Sequence, residues 1–270
     1  MRQVKTKQKT TLQNNLPRTI PNQEQIIKDI YKFRFINTNQ FQKLFNHKDP
    51  TTVQKWLKDL KDKKYIDTDY KRRSIDLNRI PAKYFLAPLG RKFLKGQKGF
   101  DIDVLEKVYK EKGRKPVFKN HCLEIFDFYL FLKSQKKPDE KLKFFTQSDI
   151  TKYEYFPDTE LDAYFVSQEK GKIRRYFLHI FKDSGPTWLP RQKIKQYIKY
   201  FNDNTWQENT NNSTFPVILF ILPTESLKFH IFKYGQAVLG KAITANIQLF
   251  LETKEAIRNK DPKKLWQKVE

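Results

Sequence analysis

The sequence predicts a mixed α+β and α/β chain in two parts: three short helices closed by a two-stranded wing, then an α/β domain on a mixed sheet. Three observations carry this. Asp49-Pro50 opens a helix whose apolar residues Val53, Leu57 and Leu60 recur at i, i+4 and i+7. Two short extended runs follow it, joined by a tip holding Lys71, Arg72 and Arg73. Farther on, a meander of strands leads through an amphipathic helix to "PVILFIL", an apolar run suited to a buried central strand.

Residues 1–19 carry no apolar periodicity, and the first 20 residues hold five basic residues and no acid. They read as a basic arm that is either idle or tracks a nucleic-acid backbone. Ile26, Ile27, Ile30 and Tyr31 then share one face of a helix over residues 22–34. "NTNQFQKLF" forms a second, capped by Asn37 or Thr38 and burying Phe41, Leu44 and Phe45. The third begins at Asp49 and leaves Thr51, Thr52, Gln54, Lys55 and Lys58 on its outer face. Strand, basic tip, strand and a short helix opening near Pro88 complete a winged helix-turn-helix over residues 20–98. In such a unit the third helix enters a major groove and the wing lies against phosphate; a two-helix protein-docking module is the alternative.

From residue 99 the pattern changes. Helical periodicity runs over 101–135, broken at Gly113 and Pro116. Strands are expected at about 141–146, 161–167, 174–181 and 216–222, with a helix at 190–201 before the last. A further strand is expected over "LKFHIFKY" (227–234), and a final helix over 235–258. This gives an α/β domain over 99–258 and a tail over 259–270.

Composition bounds the function. Lys and Arg number 54 against 30 Asp and Glu, a formal net charge of +24. An excess that size favours a polyanionic partner, through attraction to phosphates and release of their counterions. A compositional bias toward Lys, Asn, Ile, Phe and Tyr, or an acidic membrane surface, are the competing explanations. One cysteine, Cys122, excludes an internal disulfide framework, and four scattered histidines make a structural metal unexpected. With no long apolar run and no signal-peptide pattern, a cytoplasmic protein is expected.

The order of elements and three strings resemble the replication-relaxation family of plasmid and mobile-element proteins. The strings are "YFLAPLGRKFL", "NHCLEIFDF", and "LDAYFVSQEKGKIRRYFLHIFKDS" followed by "KIKQYIKYF". The resemblance implies a winged helix-turn-helix joined to a PD-(D/E)XK nuclease-like domain. On the family pattern Asp162 matches the motif aspartate, with Leu161 in place of its proline; the literal Pro157-Asp158 lies earlier and would open the strand. His179 stands where the pattern has glutamate, and Phe181 where it has the second charged residue. Lys193 and Tyr197 match the helix positions.

A phosphodiesterase of this kind needs clustered hard oxygen ligands for Mg²⁺ and a cation beside the attacking water. Strand residues 179 and 181 share a face, so neither Lys182 nor Asp183 can replace them without a register slip that exposes Phe181. Asp162, with Glu124 as a possible second carboxylate, leaves too few ligands. Glu124, Asp162, His179 and Lys193 are therefore vestigial candidates, with no catalytic, metal or cofactor site expected. His121, Glu124 and Asp162 have ordinary structural readings as well, as hydrogen-bonded or solvated side chains. The expected partners are double-stranded DNA, replication or mobilisation proteins, and a second copy of the chain. An active nuclease with an unorthodox site, and a winged-helix transcription regulator, are the alternatives.

Overall fold

A computed structural model describes residues 16–69, 80–95, 97–240, 247–259 and 266–269. The chain packs as two compact units, Met1–Leu130 and Phe131–Glu270. Together the described residues form eleven α-helices, a three-stranded sheet and a six-stranded mixed sheet.

The first unit begins with α1 (Pro21–Phe33), whose Ile26, Ile27 and Ile30 are fully buried. A two-residue strand, β1 (Ile36–Asn37), leads into α2 (Thr38–Phe45). Asn37 caps α2 by accepting from the Gln40 N–H, while the Gln40 side chain accepts from the Asn37 N–H. This reciprocal box satisfies two donors that a helix start would otherwise leave bare. Helix α3 (Pro50–Asp62) starts at the Asp49 cap and buries Val53, Leu57 and Leu60 completely. Strands β2 (Ile66–Thr68) and β3 (Lys83–Leu86) are antiparallel, and β1 pairs with the other edge of β3. Their connection at 70–79, with Lys71, Arg72 and Arg73, lies outside the described residues, as does the arm up to residue 15.

Helix α4 (Pro88–Lys95) then packs so closely that a Cβ on Gly90 would sit 2.2 Å from the Tyr65 carbonyl oxygen. Helix α5 (Ile102–Lys107), a 3₁₀ segment (Val108–Gly113) and α6 (Pro116–Gln135) follow. Phe126 of α6 packs edge-on to Phe33 of α1, and Gln40 donates to the Leu123 carbonyl.

In the second unit β4 (Lys141–Thr146), β5 (Ala163–Glu169) and β6 (Lys172–Ile180) form an antiparallel meander, with a one-turn helix α7 (Gln147–Ile150) after β4. β7 (Val217–Leu222) and β8 (Leu249–Thr253) extend the sheet in parallel, and β9 (Gln267–Val269) closes it antiparallel. Parallel neighbours need crossovers: α8 (Leu189–Asn202) and α9 (Thr205–Asn209) join β6 to β7, and α10 (Glu225–Leu239) lies between β7 and β8. Strand order advances in one direction, so right-handed crossovers put both long helices on one face. The core there joins Phe177, Ile218, Phe220, Leu249 and Leu251 to Ile194 and Tyr197 of α8 and Ile231 of α10. A short α11 (Lys254–Asn259) follows β8.

Three expectations are corrected. Residues 227–234 are helix, not strand. Their alternating Leu227, Phe229 and Ile231 mimic a strand, but Phe229 is exposed while Ile231, Gly235 and Leu239 are buried, a helical spacing. The expected helix over 235–258 ends at Leu239, and strand β8 occupies Leu249–Thr253, with Ile247, Leu249 and Leu251 inward. Strand β5 opens at Ala163, leaving Asp162 just before it and Pro157-Asp158 in the preceding loop.

Candidate functional site

Two places gather the residues singled out by sequence. The first is α3. Its buried stripe fixes which side faces out: Thr51, Gln54, Lys55 and Lys58 are exposed and Thr52 is half-buried. Several of these side chains already have partners. The Thr51 N–H and hydroxyl both donate to the Asp49 carboxylate, which holds that carboxyl below its ordinary range. Lys58 donates to Asp62 at 2.7 Å, an exposed pair that water and salt weaken. Gln54 and Lys55 are thus the exposed polar residues of the first two turns best placed to reach an outside ligand. α3 is held in place from the inner side, where Gln23 donates to Asp59 at 2.7 Å and Trp56 stands edge-on to Phe45 at 5.5 Å.

The second place is the end of the β5–β6 hairpin, under α8. The Asp162 carboxylate accepts from the Ile180 N–H at 2.6 Å, beyond the last paired residue, Ala163. His179 is buried, its Nε2 2.9 Å from the Tyr197 hydroxyl. Tyr197 also meets the Thr159 hydroxyl at 3.5 Å, and the Lys193 ammonium donates to the Thr159 carbonyl. Burial pushes the Tyr197 phenol well above its ordinary 10.0. Lys193 is pushed below its ordinary 10.5 by burial, with Glu160, Asp162 and Asp158 acting in the opposite sense. Phe181 is buried against Phe220, ring centroids 5.0 Å apart.

Asp162, His179 and Lys193 therefore belong to one polar patch within the apolar core of the second unit. Glu124 belongs to the first unit, where its carboxylate lies 3.7 Å from His121 Nδ1. The patch does not fit a hard divalent cation. Of the positions the family pattern marks, only Asp162 is a carboxylate, and it accepts from a backbone N–H; His179 faces a phenol, and Phe181 supplies no ligand atom. Among the described residues no three His, Cys, Asp or Glu side chains are grouped to hold a metal ion.

Sequence reasoning missed two features. Thr159 organises both Lys193 and Tyr197 from a loop without periodicity, so no pattern marked it. Lys228 and Glu252, buried and 2.7 Å apart, link α10 to β8, two elements whose types were misread. Among the described residues, no helix is long and apolar enough to cross a membrane. A family model described as replication-relaxation matches residues 27–218. No curated protein and no solved structure matches the chain.

Proposed function

Because the chain belongs to the replication-relaxation family, we propose that it is a DNA-binding protein acting in the replication or mobilisation of a plasmid or other mobile element. In this reading residues 20–98 are a winged helix-turn-helix and residues 99–258 a PD-(D/E)XK-like domain that has lost its metal site. The observation that carries it is the exposed start of α3. Gln54 and Lys55 project there on a helix followed by two antiparallel strands, β2 and β3, whose connection contains Lys71, Arg72 and Arg73. In the helix-turn-helix mode base edges are met by the first turns of the third helix, and a basic wing lies on phosphate. The net charge of +24 supports the same partner.

The second half of the proposal rests on the patch at Asp162, where backbone and core contacts take the places of metal ligands. The domain then serves as a scaffold: for DNA, for a replication or mobilisation protein, or for a second copy of the chain.

Affinity of the full chain for its duplex site and for random duplex, measured against salt, tests the reading. Gln54→Ala is expected to narrow the gap between the two sequences by about 1–3 kcal/mol, the worth of a bidentate base contact. Arg72→Ala with Arg73→Ala is expected to weaken both duplexes alike and to flatten the salt dependence by about one unit per lost phosphate contact. If neither variant changes duplex binding, the helix-and-wing assignment fails. Supercoiled DNA incubated with Mg²⁺ or Mn²⁺ is expected to stay intact. Nicking that survives repurification and disappears in Asp162→Ala would establish an active nuclease instead.

A further inference from the structure

The outward faces of α8 and α10 make a surface that duplex reading by α3 leaves unused. β6 and β7 are parallel and both helices lie on one sheet face, so α8 and α10 run in the same direction side by side. Their inner sides are spent on the core. Outward, α8 presents Arg191 and Lys195, and its whole length Leu189–Asn202 contains no acidic residue. Trp188, directly before α8, is 58% exposed, and Phe229 of α10 is 59% exposed, the two highest values among the exposed large apolar side chains described. The Arg191 guanidinium lies 5.4 Å from the Tyr234 ring centroid, and the Lys233 ammonium 5.8 Å from that of Phe229. A cation thus lies beside an aromatic ring at two points, Arg191 of α8 with Tyr234 of α10 and Lys233 with Phe229 within α10.

The chemistry narrows the partner. Exposed rings gain most from flat apolar faces, and exposed cations gain most from regularly spaced anions. A duplex offers the anions but hides the faces of its bases in the stack. An apolar protein surface would bury three cations without acids to meet them, a large desolvation cost. An acidic peptide would leave both rings unused. A single strand offers both features, since every base has a face and every linkage a charge. We infer that this surface binds single-stranded nucleic acid, with bases stacking on Trp188 and Phe229 and the backbone running past Arg191, Lys195 and Lys233.

The test uses the full chain and a fluorescein-labelled 20-mer of oligodeoxythymidine, followed by anisotropy. Saturable binding is expected, with much weaker binding of an abasic strand of the same length. Trp188→Ala and Phe229→Ala are each expected to weaken the oligomer roughly tenfold. Arg191→Ala with Lys195→Ala is expected to flatten the salt dependence. All four positions are exposed, so circular dichroism is expected to match wild type. Gln54→Ala serves as the control that separates this surface from the duplex reading, because it is expected to leave oligomer binding unchanged. No binding of the oligomer, equal binding of the abasic strand, or a Trp188→Ala/Phe229→Ala variant within twofold of wild type overturns the inference. So does capture by phosphatidylglycerol vesicles through these residues without oligomer binding, which would make the surface a membrane contact.

Discussion

Asp162 continues the β5–β6 ladder past its last backbone pair, its carboxylate taking the N–H of Ile180 while its own N–H donates to the Leu178 carbonyl. A charged acceptor on an otherwise stranded backbone donor is worth about 1.5–3 kcal/mol. Asp162→Ala is accordingly expected to lower unfolding stability by that amount in urea titration, and Asp162→Asn, which keeps a carbonyl acceptor, by less. A loss of stability equal for Asn and Ala would mean that the charge, not the acceptor, matters. The neighbouring positions are too apolar to take charged ligand side chains cheaply. His179 and Phe181 are 3% and 7% exposed, and Phe181 stacks edge-on to Phe220. His179→Glu with Phe181→Lys would place two charges in that core, and an ion pair there recovers its desolvation cost only with good geometry and further hydrogen bonds. The expected outcome is a lower melting temperature with no gain in Mn²⁺ affinity by calorimetry.

At the scale of elements, Gly90 shows how a helix is seated. Alanine is the better helix former by roughly 1 kcal/mol. Here, however, its Cβ would stand 2.2 Å from the Tyr65 carbonyl oxygen and 2.8 Å from Leu86 Cδ2. A backbone oxygen cannot rotate aside, so α4 would have to shift, and overpacking of this kind costs about 1–3 kcal/mol or more. Gly90→Ala is therefore expected to lower the melting temperature despite its propensity gain, the displaced helix being the one that follows β3. The elements misread from sequence have the opposite character. In "LKFHIFKY" both a two-residue and a 3.6-residue period can be drawn through the apolar positions. The parallel pairing of β7 with β8 settles the matter by demanding a crossover, and Thr224 caps the resulting helix by accepting from the Leu227 N–H. β8 is concealed by Glu252, a buried charge that Lys228 of a distant helix makes tolerable.

For the whole molecule, the many buried phenols set the alkaline limit of the fold. Burial pushes Tyr164 up to about 12, and raises Tyr197 and Tyr200 as well. In the unfolded chain these groups ionise near 10. The folded state then holds more protons than the unfolded one above that pH, so the stability they contribute is whole below pH 10 and drains away as pH rises through 12. Lys193 acts in the other sense: its folded value is depressed, so its contribution improves as pH climbs toward 10.5. Tyrosinate absorbance at 295 nm, recorded with circular dichroism, is expected to show ionisation of the buried phenols together with unfolding above pH 10. Gradual ionisation with the far-ultraviolet spectrum unchanged would contradict it.

The amino-acid order alone determined the elements whose instructions are local. Asp49-Pro50 starts α3, a polar cap at Asn37 or Thr38 starts α2, and the stripes of α1, α3 and α8 point their own apolar faces inward. It also carried the +24 charge and the resemblance that the match over 27–218 bears out. Each of these needs only neighbours a few residues apart or a chemical identity. Tertiary structure alone decided that residues 225–239 coil while 249–253 extend. It decided that Asp162 serves a backbone donor, and that His179, Tyr197, Thr159 and Lys193 meet inside a core. Those outcomes depend on which strands pair and on what a buried polar group finds across the sheet, partners separated by tens of residues that no local period encodes.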